Sequence, residues 1–398
     1  MSEVAQVPQL RFPEFNGDLE EKKLDDVGSF KSGTGFTEAE QGGKSGVPFF
    51  KVSDMNLEGN QKVMVSANNY VNDEQIARLN YKPINKKSVI FAKVGAAVFL
   101  ERKRIADSFL IDNNMMAFTP TEDIDFIRQW FDTVRLSKYA QVGALPSYNA
   151  SDLKTIKINL PSLPEQTKIA NFLAAVDTKI EQLSKKQALL GEYKKGLMQQ
   201  IFSQATRFKA DDGSEFPDWE EKNGNEIFDN ISNKNHDSDL PILAITQEHG
   251  AIPRDLINYK MIVSDKSVSS YKVVETGDFI ISLRSFQGGI EYSNYKGICS
   301  PAYIILRPAI EIEKKFYKYY LKTYRYIQDL NRKLEGIRDG KMVSYKYFSE
   351  IKLPYPSISE QAKIANFLSS IDNKIEQVGK QLRESKQFKK ALLQQMFV

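Results

Sequence analysis

The sequence predicts an α+β protein in which two mixed α/β globular regions are separated by a long antiparallel two-helix coiled coil, the whole pseudo-twofold symmetric. Three observations carry this reading. A segment of about 40 residues occurs twice, half a chain apart. Each copy has one narrow apolar stripe at helical spacing. Before each copy lie short β-rich runs separated by loops of Gly, Ser, Asn and Lys.

The repeat runs from Leu160 to Phe202 and again from Leu353 to Phe397. From Glu165 and Glu360 onward the copies align without a gap, with about 20 of 38 positions identical. The first stripe is Ile169, Phe172, Val176, Ile180, Leu183, Leu190, Tyr193, Leu197 and Ile201. The second is Ile364, Phe367, Ile371, Ile375, Val378, Leu382, Phe388, Leu392 and Met396. Spacings of three, four and seven suit the seam of a helix pair. Ser162 with Glu165, and Ser357 with Glu360, have the spacing of a capping box, which places each helix start there. A helix of about 38 residues would be on the order of 57 Å long at about 1.5 Å per residue. Ordinary core helices average about three turns, so a paired long helix is the better reading.

The globular regions are expected at 1–157 and 206–350, with the helical repeats at 158–205 and 351–398. Phe12-Pro13-Glu14-Phe15 before Leu19-Glu20-Glu21-Lys22 is matched to Phe216-Pro217-Asp218-Trp219 before Glu220-Glu221-Lys222, as the lead-in to each region. Beyond these lead-ins the regions diverge, which suggests one scaffold with two specificities. Strands are expected near Val47–Val52, Ser88–Phe91, Asn114–Phe118, Leu240–Ile245, Asp278–Ser282 and Ala302–Leu306, and helices near Ile124–Leu136 and Glu313–Glu335. The last stretch interleaves Lys314, Lys315, Lys318, Lys322 and Arg325 with Phe316, Tyr317, Tyr319, Tyr320 and Tyr324. That pattern suits stacking and phosphate contacts. It equally suits a helix with aromatics inward and bases solvated.

Composition narrows the class. The chain has 398 residues, 41% hydrophobic, which supports real cores. A single cysteine, Cys299, cannot form an intramolecular disulfide and fits a reducing, cytoplasmic compartment. The N-terminus lacks the basic and apolar regions of a secretory signal, and no apolar run reaches membrane-span length, so no membrane partner is expected. A net charge of +4 argues little for nucleic acid by itself. The basic excess lies on the helical repeats, and both globular regions are slightly acidic. Any nucleic-acid affinity of the globular regions would therefore have to come from local basic loops.

Catalytic chemistry is not apparent. His236 and His249 are the only histidines, so a Cys/His metal site is unavailable. Gly43-Lys44-Ser45 ends like a phosphate loop, but Glu38 stands where the cradle needs glycine. Gly33-Thr34-Gly35 is a lone GxG, and Asp218 with Glu220-Glu221-Lys222 is too compressed to hold Mg²⁺ between neighbouring strands. No metal site and no catalytic residues are expected in this chain.

The order of variable region, Leu-Pro, Glu-Gln, Ile-Ala-Asn-Phe-Leu and long helix, written twice, resembles the specificity subunit of a Type I restriction-modification system. The residues that carry the resemblance are Leu160-Pro161, Glu165-Gln166, Ile169, Leu173, Asp177 and Ile180, with Leu353-Pro354, Glu360-Gln361, Ile364, Leu368, Asp372 and Ile375. Gly46-Val47-Pro48-Phe49-Phe50-Lys51-Val52-Ser53-Asp54 resembles the opening of its target-recognition domain. The resemblance spans essentially the whole chain. It implies two target-recognition domains, each reading one half of a bipartite double-stranded DNA site, and a helix pair that sets the gap. It also implies a bacterial or archaeal complex with two methyltransferase subunits, which bring S-adenosylmethionine, and two restriction/motor subunits, which use ATP and Mg²⁺. The subunit itself would bind no cofactor and catalyse nothing. A non-catalytic coiled-coil adaptor that binds only proteins is the alternative, and a self-contained nuclease is disfavoured by the missing carboxylate cluster.

Base readout needs polar side chains projecting from loops, near basic anchors. In the first region the candidates are Lys31, Ser32, Thr34, Lys51, Ser53, Lys93, Arg102, Lys103, Arg104, Ser147, Tyr148 and Asn149. In the second they are Lys234, Asn235, His236, Gln247, Arg284, Ser285, Gln287, Arg338, Lys341, Ser344 and Tyr345. Arg284, in the loop Ser282–Gly289, is the sharpest single choice, since an arginine there could take guanine bidentately. Packing of the spacer helices is assigned to Ile169, Phe172, Val176, Ile180, Leu183, Leu197, Ile364, Phe367, Ile371, Ile375, Val378 and Leu392.

Overall fold

A computed structural model describes residues 7–141, 143, 145–237, 239–257, 268–332 and 343–397. The repeats form two long helices, Leu163–Phe202 and Ile358–Met396, of 40 and 39 residues. The chain divides into two compact units, Met1–Ser184 with Lys380–Val398, and Lys185–Gly379. Each long helix thus gives its first half to the unit whose globular part precedes it and its second half to the other unit.

In unit 1, β1 (Glu20–Lys23) pairs antiparallel with β9 (Lys157–Leu160), which ties the start of the globular part to its end. Between them lies a four-stranded antiparallel sheet in the order β2-β8-β5-β6. These strands are β2 (Gly28–Ser32), β5 (Ser88–Ala92), β6 (Lys103–Ala106) and β8 (Met115–Pro120). Every residue of β5 is buried, because both of its faces are covered. Val89 and Phe91, with Met116 and Phe118, pack on Phe126, Ile127, Trp130 and Phe131 of the helix Ile124–Thr133. Ile90, Met115 and Ala117, one step out of phase, face Phe50, Phe109 and Ile111. A smaller sheet of β3 (Val47–Phe50), β4 (Tyr70–Val71) and β7 (Leu110–Ile111) lies in the order β4-β3-β7, with β3 and β7 parallel.

Unit 2 repeats the frame. β10 (Glu220–Asn223) pairs antiparallel with β19 (Lys352–Tyr355). β11 (Phe228–Ile231), β15 (Phe279–Ile281), β16 (Glu291–Tyr292) and β18 (Ile304–Pro308) form a sheet in the order β11-β18-β15-β16, the same topology as in unit 1. Phe279, Ile281 and Leu306 meet the helix residues Phe316, Tyr317 and Tyr320 on one face, and Ile280 and Ile305 meet Leu243, Val274 and Cys299 on the other. The remaining strands form two pairs, β12 (Leu243–Thr246) with β13 (Gly250–Pro253), and β14 (Lys272–Val274) with β17 (Gly297–Cys299). Cys299 is fully buried, and burial pushes its thiol up to about 12.

The long helices pack antiparallel inside each unit. In unit 1, Ile169, Ala170 and Leu173 share a core with Leu392 and Met396 of the other helix. In unit 2, Ile201 and Phe202 share one with Ile364, Leu368 and Ile371. Most of the expected seam is buried or half-buried, with Leu183, Val378 and Leu392 fully so. Tyr193 and Phe388 are the exceptions. They occupy the same repeat position, and both point outward, at 56% and 54% exposure.

Three other expectations are corrected. The acidic half of each capping box does not form as written, because Glu165 gives both carboxylate oxygens to Arg11 and Glu360 gives both to Arg207. The true counterpart of Phe12 is Phe208 rather than Phe216. Phe12 stands edge-on to Phe172 at 5.7 Å, and Phe208 stands the same way on Phe367 at 5.3 Å. The single helix expected over Glu313–Glu335 is two short ones, Lys314–Tyr320 and Tyr324–Arg332. The break follows from the Leu321 carbonyl, which accepts from Ile290, and from Thr323, whose hydroxyl accepts from Tyr326 to start the next helix. In that stretch most aromatics turn inward, with Phe316, Tyr317, Tyr319, Tyr320 and Tyr326 buried, whereas Tyr324 is exposed.

Candidate nucleic-acid interface

The frame holds its globular parts through one set of contacts made twice. The buried carboxylates Glu165 and Glu360 are each gripped by an arginine from the lead-in segment, at 2.7 Å for both Arg11 bonds and 3.3 and 2.9 Å for those of Arg207. Gln166 accepts from the Asp123 N–H and donates to the Pro161 carbonyl; Gln361 does the same with Glu313 and Pro356. The Glu-Gln pair therefore locks the start of the long helix to the start of the helix lying on the sheet. Further along, Asp177 meets Lys389 at 2.7 Å and Asp372 meets Lys194 at 2.6 Å. Burial alone would raise the Asp177 carboxyl, and Lys389 and Lys62 more than reverse this and hold it below the usual range.

On this frame the strand-exit loops carry many of the predicted residues. Lys93 and Ser147 sit side by side in unit 1, where the Tyr148 N–H donates to the Lys93 carbonyl and Val94 bridges to Ser147. Asn149 starts the helix Ala150–Lys154 beside them, its N–H bound to Asp152 at 2.8 Å. Lys31, Ser32 and Thr34 line a recess of about 200 Å³. The Lys31 amine is lowered by burial and by nearby Lys82. Thr34 and the strand bearing Phe50 meet at Asp112, and Lys51 lies next along that strand. The Asp112 carboxyl is raised by burial despite two bonds from Asn114. Ser53 is exposed, and Arg102 is half-buried and donates to the side-chain amide oxygen of Asn56.

In unit 2, Arg284 and Gln287 are exposed, and Gln247 donates to the Arg284 carbonyl at 3.3 Å. This joins the hairpin turn between β12 and β13 to the exit loop of β15. Gly289 closes that loop at φ +80°, where a Cβ would lie 2.1 Å from the Leu321 carbonyl oxygen, so only glycine fits. Lys234 and Asn235 are exposed, and the His236 ring bonds the Tyr271 carbonyl at 3.1 Å. Ser344 caps the helix Tyr345–Ser349. Arg338 and Lys341 lie outside the described residues.

Several candidates are withdrawn from base reading by their surroundings. Lys103 is 3% exposed and ion-paired with Glu101 at 2.7 Å. Tyr148 is 2% exposed and donates to the Ala92 carbonyl, and Ser285 is 1% exposed and accepts from the Ser282 N–H. Arg104 is turned inward onto the Asn60 and Lys103 carbonyls, and the Tyr345 hydroxyl is bound to the Phe228 carbonyl. These side chains are polar only at their tips, and each tip has an internal partner. Sequence reasoning missed Arg11, Arg207, Arg128 and Lys389. The repeated Arg-Phe dipeptide at 11–12 and 207–208 was the available signal.

Among the described residues, no group of three or more His, Cys, Asp or Glu is placed to hold a metal ion. No described helix is long and apolar enough to cross a membrane.

Two compact α+β units built on a doubled helix frame define a class of internally duplicated two-domain proteins. The model of the Type I restriction modification DNA specificity domain matches residues 16–190 and again 217–384, and the chain belongs to that family. A Methanocaldococcus jannaschii chain provisionally assigned as the type I restriction enzyme MjaX specificity subunit is 26% identical over 392 residues, covering 90% of this chain and 88% of that one. The type I restriction enzyme MjaVIII specificity subunit of the same organism is 28% identical over 271 residues, 63% of each chain. The crystal structure of the S subunit of a Type I restriction-modification system from M. genitalium covers 99% of both chains with a TM-score of 0.58 at 17% identity. A structure solved in work on complex assembly and conformational transition of the type I system covers 95% of this chain and 97% of that one, with a TM-score of 0.54 at 18% identity. The protein is a DNA specificity subunit with two target-recognition domains, the non-catalytic member of a Type I restriction enzyme complex.

Proposed function

We propose that the two globular parts, residues 1–157 and 206–350, each read one half of a bipartite double-stranded DNA site, and that the helical segments 158–205 and 351–398 set the gap between the halves. The observation that carries this reading is the duplicated set of frame contacts beneath two diverged loop sets. A repeated scaffold with unlike readers suits an asymmetric two-part site better than a palindrome. Readers on one face of a duplex work about 34–36 Å apart per helical turn, a scale that a helix pair can span.

Direct readout falls to the exposed loop residues, with Arg284 and Gln287 foremost in unit 2 and Ser53 and Asn149 in unit 1, and with half-buried Lys93 beside Asn149. Two methyltransferase subunits dock on the helix frame and bring S-adenosylmethionine. Two restriction/motor subunits supply the ATP- and Mg²⁺-dependent steps, in a bacterial or archaeal cytoplasm. The chain itself binds none of these cofactors.

Methylome sequencing of cells co-expressing this chain with its cognate methyltransferase tests the reading. A split adenine-methylated motif is the expected result. Absence of any motif, with the proteins still associated, would favour a protein-only adaptor.

A further inference from the structure

The two units differ in charge where the sheet-covering helix meets the long-helix pair. In unit 1 the ion-paired groups of this junction balance, and Arg104, close to Arg128, is turned onto backbone carbonyls. Arg128 pairs with Asp132 at 2.8 Å and approaches Asp177 at 3.9 Å. Lys389 pairs with Asp177, and Lys62 reaches Glu181 at 2.8 Å and Asp177 at 3.7 Å. Three cations thus meet three carboxylates.

Unit 2 presents the same positions with different charges. Asp123 and Glu313 hold the same place, each donating its N–H to the glutamine of the long helix. Counting on from them, Lys318 stands for Arg128, Tyr319 for Gln129 and Lys322 for Asp132. The match is structural as well, since the Gln129 amide and the Tyr319 hydroxyl both donate to the aspartate of the long helix, at 3.4 and 2.7 Å. The carboxylate that neutralises Arg128 is therefore a lysine in unit 2. Lys322 turns to Glu291, and Lys194 turns to Asp372. Lys318 has no carboxylate within ion-pair distance among the described residues. Its amine faces the rings of Tyr292 and Tyr319, at 5.6 and 5.7 Å from their centres. It is held below the usual lysine range by burial, despite the pull of Asp372.

Around Lys318 opens a cleft of about 860 Å³. Lys195 and Arg325 stand exposed on its walls, and Gln247 on its rim is the residue bonded to the Arg284 loop. The lining holds five lysines and arginines against three carboxylates.

We infer that this cleft is a phosphate site, with Lys318 at its floor and Lys195 and Arg325 on its walls, that anchors the DNA backbone beside the second reader only. Continuity with the Arg284 loop favours a backbone phosphate over a free one. The inference rests on the DNA-reading function proposed above. It gives unit 2 a sequence-independent grip that unit 1, with Arg128 already neutralised, lacks.

The test uses the chain assembled with its cognate methyltransferase subunits and a random-sequence duplex of about 30 base pairs. Affinity is measured across salt concentrations. Lys318→Gln should weaken binding about 3- to 10-fold near 0.1 M salt and reduce the salt slope by about 1. Lys318→Arg should keep the slope, and Arg128→Gln should leave it unchanged. Duplex binding by the wild-type complex with an unaltered slope in Lys318→Gln overturns the inference and leaves the DNA-reading function standing. No duplex binding by the wild-type complex defeats the DNA-reading function itself. Inorganic phosphate titrated into the free chain separates the sources: saturable binding lost in Lys318→Gln, with an unchanged DNA slope, assigns the cleft to free phosphate and overturns the DNA assignment. Loss of methyltransferase assembly in Lys318→Gln, without a change in slope, points to an acidic protein segment and overturns it equally.

Discussion

Unit 1 and unit 2 share a frame and differ at its junction with the reader. Arg11–Glu165 recurs as Arg207–Glu360, Gln166 as Gln361, and Asp177–Lys389 as Asp372–Lys194. Between these fixed points Asp132 becomes Lys322, and a closed ion-paired cluster becomes a basic cleft. The difference separates two kinds of residue. Those that recur hold the helix to its reader, and the one that changes sign lines the cleft.

The largest expected effect tests the repeated part. Arg11→Ala and Arg207→Ala each leave a buried carboxylate without its cation, which should cost about 3 kcal/mol. Chemical denaturation of the two variants should give similar losses. A large loss in one and none in the other would show that the two frames are not equivalent.

A smaller effect is expected at the glutamines. Gln166→Ala and Gln361→Ala each leave a proline carbonyl and a helix-start N–H unpaired, for about 1–2 kcal/mol. Hydrogen exchange at Asp123 and Glu313 should quicken in the matching variant only. Exchange that rises in both units at once would contradict independent locking.

The smallest effect concerns acid. The folded-state pKa of Asp177 lies below its unfolded value, so its contribution is full above the usual carboxylate range and is lost as pH falls through the depressed value. Asp177→Asn should flatten part of the acid-side loss of stability. An unchanged acid-side slope would show that the Lys389 contact contributes little.

The helix frame was legible because its signal is local and periodic. A stripe at spacings of three and four, begun at the same Glu-Gln and repeated 195 positions later, leaves one reading. Even there, Tyr193 and Phe388 fit the period and still face solvent, although Leu190 and Leu197, and Leu382 and Leu392, on either side of them are half-buried or buried. The lead-in was misread for a different reason. Phe12 lies eight residues before β1 and Phe208 lies twelve before β10, so matching from the strand backward pairs the wrong phenylalanines. The readers were the least legible part. Lys103, Tyr148 and Ser285 have the composition of an interface, yet their polar atoms are taken by Glu101, Ala92 and Ser282. Partners 2 to about 60 positions away along the chain decide that outcome, and a pattern of residue types does not contain them. The basic-aromatic stretch at 314–325 served both of its readings: its rings other than Tyr324 went into the core, and Lys318 was left facing a cleft.

The central claim is that the helix pair separates two independent readers. The direct measurement is the methylome after four residues, one turn, are inserted in each long helix at the unit boundaries, after Ser184 and after Gly379. The added length of about 6 Å should widen the unspecified gap by about two base pairs and leave both half-sites as they were. A gap of unchanged length, with methylation retained, would contradict the account.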